Sequence, residues 1–130
     1  MKNLILFFAL VSVSFQAKAA GDPIWDAITS AMTSGNTSGL SIYFDDNVAL
    51  TLENQDFDQP RAQALATFQK WVATRVSKSF TQVHTGNNKG KSSWYSIGEA
   101  DTAQGKFRVF VYFRTNGTKT TIKEIRISKA

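Results

Sequence analysis

Cysteine is absent from the 130 residues and histidine occurs once. Without cysteine there are no disulfides and no thiol nucleophile, and lipid attachment at an N-terminal cysteine is excluded. With one histidine as well, the usual ligand sets for zinc and iron–sulfur clusters are missing. No metal and no cofactor is expected. The chain must instead hold itself together by apolar burial, and its ten Phe, three Trp and three Tyr supply large apolar area for that.

Long hydrophobic runs are scarce too. The longest, Leu4 to Phe15, is broken only by Ser12 and Ser14 and falls short of the ~20 residues that span a bilayer. Met1-Lys2-Asn3 before it is a short positive region, and Gln16-Ala17-Lys18-Ala19 after it carries Ala at both small-residue positions. This pattern is that of a cleavable secretory signal peptide over residues 1–19, cut between Ala19 and Ala20. The expectation is an exported protein, periplasmic or extracellular, whose residues 20–130 form a single domain with no membrane span after cleavage. Size and aromatic content suffice for one core, with modest stability.

Charge of one sign is missing from a whole segment. Between Ala20 and Pro60 there are seven acids and no Lys or Arg, whereas from Arg61 onward there are thirteen bases and three acids. Two halves of opposite sign attract each other across a fold. A basic sheet surface meeting an anionic partner is the other reading. Nucleic acid is not expected as that partner, because an exported chain seldom meets it.

Helical signals come first. Asp22 at an N-cap and Pro23 at the first helical position open a helix in which Ile24, Trp25, Ile28, Ala31 and Met32 share a face, with Gly35 as its stop. A shorter helix is expected from Thr37 to Phe44, burying Leu40, Tyr43 and Phe44. Asp45-Asp46-Asn47 reads as a turn by composition. Val48, Leu50 and Leu52 then alternate as a first strand. After a polar stretch, Asp58-Gln59-Pro60 starts the longest helix, with a stripe of Leu65, Phe68, Trp71, Val72 and Val76.

Strand signals follow at Ser79–Thr85, Ser92–Gly98, Lys106–Arg114 and Thr118–Lys129, with Asn116-Gly117 as the sharpest hairpin signal. Short turns make consecutive antiparallel pairing the simplest topology. Helices first and a meander after give an α+β fold with the helices on one sheet face. In the strand Lys106–Arg114, Phe107, Val109, Val111 and Phe113 point one way; Arg108, Phe110, Tyr112 and Arg114 point the other. The first set is expected to face the helices. The second mixes aromatics with Arg, too apolar for a solvated face and too charged for a core. With Trp94 and Arg126 assigned to it, this face is the candidate binding or interface surface.

The order of elements resembles the nuclear transport factor 2-like fold, in which a curved sheet wraps a long helix and leaves a conical pocket. The wording is similar to that of exported bacterial proteins of the domain of unknown function 4783 family. It is carried by Ser34-Gly35-Asn36, Tyr43-Phe44-Asp45-Asp46-Asn47-Val48-Ala49-Leu50-Thr51-Leu52, Ala62-Gln63-Ala64 and Ser79-Phe80. His84-Thr85-Gly86, Tyr95-Ser96-Ile97-Gly98, Gly105-Lys106-Phe107-Arg108-Val109-Phe110 and Ile125-Arg126-Ile127 continue it. Phe68-Gln69-Lys70-Trp71 departs from the pattern, standing where the family has an aromatic pair. The resemblance implies the fold, a small conical pocket and pairing through the sheet face. It implies no activity, since the superfamily spans isomerases, dehydratases, binders and interaction modules.

Motifs for chemistry are weak. Gly86-Asn87-Asn88-Lys89-Gly90-Lys91-Ser92 is one residue short of a P-loop and leads into a strand rather than a helix, so it reads as a hairpin turn. His84, the only histidine, and Asp46 are the two candidate bases, but neither has a partner visible in the sequence. Adjacent carboxylates such as Asp45 and Asp46 point apart in a turn or strand and do not converge on one substrate. Asp26 favours the dipole of its helix, and Tyr43 and Trp25 read as packing residues. There is no G-x-S-x-G elbow. Asn36-Thr37-Ser38 and Asn116-Gly117-Thr118 fit a glycosylation pattern, but both lie where turns call for Asn.

The expected function is a non-enzymatic exported module that binds a small ligand or a protein partner, a second copy included. The alternative is an isomerase- or dehydratase-like enzyme using pocket acid/base chemistry.

Overall fold

The computed structural model describes residues 23–87 and 92–130. The signal-peptide segment 1–19, the Asp22 cap and the centre of the glycine–lysine turn at 88–91 lie outside the described residues.

Helix α1, Pro23–Ser34, forms where the apolar spacing predicts, and buries Ile24, Trp25, Ile28, Ala31 and Met32. Gly35 stops it at φ 80°, its N–H donating to the Ala31 carbonyl at 2.9 Å. A 3-10 helix follows at Ser38–Tyr43 and buries Leu40. Gln69 pins its entry, its side-chain oxygen accepting from the Thr37 N–H at 3.0 Å and the Thr37 hydroxyl at 2.7 Å.

Phe44 does not end that helix; it begins strand β1, Phe44–Leu52. Asp45-Asp46-Asn47 is therefore strand and not turn. Its backbone runs beside the last strand, and a register shift between Phe44 and Ala49 absorbs the polar residues. The expected alternation of Val48, Leu50 and Leu52 is present, all three buried. Strand β2, Gln55–Pro60, was hidden in the polar stretch. Apart from the terminal Pro60, Phe57 is its one apolar side chain, so it has no period-2 apolar signature, and antiparallel pairing to β1 defines it.

Helix α2, Arg61–Ala73, buries Ala64, Phe68, Trp71 and Val72 and half-buries Leu65. Val76 lies beyond its end and is 41% exposed. The helix stops earlier than its apolar stripe because local groups cap it. Thr74 Oγ1 donates to the Trp71 carbonyl at 3.2 Å, and the Arg75 N–H donates to that of Val72 at 3.0 Å.

Strands β3 (Ser77–Asn87), β4 (Ser93–Thr102), β5 (Gly105–Asn116) and β6 (Lys119–Lys129) form the expected antiparallel meander. The β5–β6 hairpin turns at Gly117, φ 66°. Beside β6 the chain adds β1 in parallel and β2 outside it, giving a six-stranded curved sheet of order β2-β1-β6-β5-β4-β3.

Phe107, Val109, Val111 and Phe113 of β5 are buried as their parity predicts. The Trp71 ring meets Phe107 edge-on, centroids 5.3 Å apart, which joins α2 to β5. Trp25 of α1 stacks on Phe80 of β3 at 5.2 Å. Phe44, Phe68, Phe107 and Phe113 are fully buried between these layers, each stabilising by about 1.5–3 kcal/mol. The two charge segments meet: Arg61 pairs with Asp46, Arg75 with Glu53, and Arg114 and Lys123 with Asp45.

Candidate functional site

Cross-strand register decides which side chains share the outer sheet face. Arg108, Phe110, Tyr112 and Arg114 of β5 lie on it. Opposite Phe110 and Tyr112, strand β4 brings Ile97 and Tyr95, and β6 brings Arg126 and Glu124. His84 of β3 lies opposite Ile97. Directly opposed residues in antiparallel strands share a face, so Arg126 is where the sequence reading put it. Trp94 is not. It opposes Phe113 and stacks on it at 4.0 Å, on the helix side of the sheet. One residue of offset in β4 exchanges the faces, and Tyr95 takes the outer position instead. Tyr95 and Ile97 were missed because β4 shows no hydrophobic alternation to set its parity.

The outer face carries a connected column. The His84 Nε2 and the Tyr95 hydroxyl share a hydrogen bond of 3.0 Å. The Tyr95 ring stacks on Phe110 at 5.4 Å, and the Arg126 guanidinium lies over the other side of Phe110 at 5.8 Å. Arg126 Nε donates to Glu124 at 2.6 Å, and this bond to a carboxylate raises the arginine's pKa. Arg108 pairs with Glu99 at 3.0 Å on the same face. Tyr95, Ile97, Phe110 and Tyr112 are only half-buried, leaving a strip of apolar surface rimmed by paired charges.

Asp45 and Asp46 diverge. Asp45 turns to the end of the sheet, where it accepts from the Thr121 hydroxyl at 2.9 Å, from Arg114 at 3.2 Å and from the Asp46 N–H at 2.7 Å, with Lys123 at 3.7 Å. Burial alone raises its pKa, but the Asp46 N–H, the Thr121 hydroxyl and the two cations outweigh it and hold the carboxyl below its ordinary value. The Asp46 side chain is 93% exposed and meets Arg61 at 3.0 Å. The two carboxylates serve different partners, as adjacent strand residues do.

A separate hollow of about 470 Å³ opens where α1 starts, bounded by Ile24, Ile42, Tyr43, Trp94, Lys119 and Thr120 among its lining residues. His84 and Asp46 do not line it. Among the described residues, no group of three His, Cys, Asp or Glu could hold a metal ion. No helix among them is long and apolar enough to cross a membrane.

The family model described as "Domain of unknown function (DUF4783)" matches residues 25–128. A solved protein of that family from Bacteroides ovatus is 26% identical; the alignment covers 85% of this chain and 98% of that one, with a TM-score of 0.74. One from Bacteroides uniformis is 30% identical over 81% of this chain and 95% of its own, TM-score 0.72. A designed nuclear transport factor 2-like protein, 18% identical over 87% of this chain and 96% of its own, superposes with a TM-score of 0.66 and bears on the fold alone. Comparison with curated proteins found no match.

Proposed function

The chain belongs to the domain of unknown function family DUF4783, and from that premise we propose that it is an exported, non-enzymatic interaction module that pairs with a second copy of itself through the outer face of β3–β6. One observation carries this reading: the column His84–Tyr95–Phe110–Arg126, which crosses four strands and leaves aromatic faces half-covered. Isolated apolar side chains on a surface need no explanation, but a contiguous strip rimmed by polar groups marks an interaction site.

A second copy suits the strip because its charges are mixed. Arg108 is paired with Glu99, Arg126 with Glu124 and Arg114 with Asp45, so the face can meet itself under a two-fold operator without a single-sign patch opposing its own copy. The enzyme alternative is less well supported. Its two candidate bases are His84, engaged with Tyr95 on the outer face, and Asp46, exposed beside Arg61.

Sedimentation of the purified protein tests the reading. A dimer is expected for the natural chain and a monomer of unchanged circular dichroism for Phe110→Asp and for Tyr112→Ala. A natural chain that stays monomeric at high concentration excludes the pairing. Export predicts that the accumulated protein begins at Ala20, which N-terminal sequencing reads directly.

A further inference from the structure

We propose that the hollow between Trp94, Tyr43 and Lys119 binds a small carboxylate with a planar apolar body. The inference rests on reading the chain as a binding module, but not on pairing through the outer face. At about 470 Å³ the hollow has the size of small-molecule sites. Its wall is mainly apolar. Trp94 is held there by its stack on Phe113, with ring centroids 4.0 Å apart and planes 18° apart. A ring so fixed offers a flat surface to a second ring at little entropic cost. Ile42 is 72% exposed in the same hollow, a large apolar side chain that no neighbour covers.

Charge chooses the polar end of the ligand. Lys119 lines the hollow, its backbone paired with Asn116 in the β5–β6 ladder, and among the described residues its ammonium has no ion pair and no hydrogen bond. The same lysine borders the neighbouring depression that holds Arg61, Arg114, Asp45 and Asp46. There the two carboxylates are already taken, Asp46 by Arg61 and Asp45 by Arg114 and Lys123. Four cations against two acids leave this end of the molecule positive, and the ammonium at the lip of the apolar hollow is the unmatched group. An anion whose ring lies on Trp94 meets it.

Titration of the purified protein, obtained by expressing the full chain, with 2-naphthoate, 2-naphthol and 2-naphthylmethylamine tests this, since the three share a ring and differ in charge. Naphthoate is expected to bind about fivefold or more tightly than the amine, with naphthol between them. Lys119→Glu is expected to abolish that order, and Trp94→Leu to weaken all three while Lys119 remains. Phe110→Asp, which breaks the proposed pairing, is expected to leave naphthoate binding unchanged. Equal binding of the three ligands, binding of none, or loss of naphthoate binding in Phe110→Asp overturns the proposal; a monomeric natural chain that still prefers naphthoate overturns only the pairing.

Discussion

The Tyr95 ring lies so flat across Gly86 of the neighbouring strand that a Cβ at position 86 would come within 2.7 Å of it. That approach is what lets Tyr95 reach His84 on one side and Phe110 on the other. Gly86→Ala is therefore expected to push the ring off the sheet and destabilise by about 1–3 kcal/mol. Urea unfolding measures the loss, and the dimer should weaken with it. If stability and pairing are both unchanged, the ring is not held as described.

Asp45 adds stability that depends on pH. Its carboxyl is held below the ordinary value of 3.8. A depressed folded pKa means that the unfolded chain takes up the proton first, so the stabilisation is complete well above pH 3.8 and is lost as the pH falls through the folded value. Asp45→Asn should lower stability at neutral pH and flatten the acid side of the profile. Unfolding free energies from neutrality down to acid pH show this as converging curves; parallel curves would contradict it.

Glu53 occupies the left-handed region at φ 61° in the β1–β2 hairpin. Its carboxylate accepts from the Trp71 indole and pairs with Arg75, both at 3.1 Å, while Arg75 lies over the Trp71 ring at 4.9 Å. Glu53→Ala removes the acceptor and keeps the strained backbone, for a loss of about 1–3 kcal/mol. Glu53→Gly removes the same contacts but fits the backbone, and is expected to be about 1 kcal/mol more stable than Glu53→Ala. Thermal or urea unfolding of the pair decides it, and Glu53→Ala matching Glu53→Gly would refute the strain.

Phe68 is fully buried on α2. Its truncation to Ala is expected to cost about 3–5 kcal/mol. Set against a total of about 5–15 kcal/mol for a domain of this kind, that leaves Phe68→Ala marginal at physiological temperature. A melting temperature within a few degrees of the natural protein's would show that α2 is not part of the core.

Much of the fold was legible because it is written in short-range periods. The faces of α1 and β5, the alternation of Val48, Leu50 and Leu52, and the Asn116-Gly117 turn all follow from spacing within a few residues. Strand β2 was not legible, since its pairing to β1 replaces any apolar pattern of its own. The face of Trp94 was not legible either. Its strand has Tyr95 and Trp94 side by side, and both parities put an aromatic on each face.

The sequence by itself determined the element types along most of the chain, the outward set Arg108, Phe110, Tyr112 and Arg114, and the want of disulfide or thiol chemistry. These depend on composition and on neighbours close along the chain. The tertiary structure decided that β1 lies parallel to β6, that Asp45 turns to Arg114 rather than into a tight turn, and that Trp94 faces the helices beside Lys119. Those facts are set by pairing between strands, some of it joining residues more than 70 positions apart in the chain, where a shift of one position exchanges the two faces of a strand.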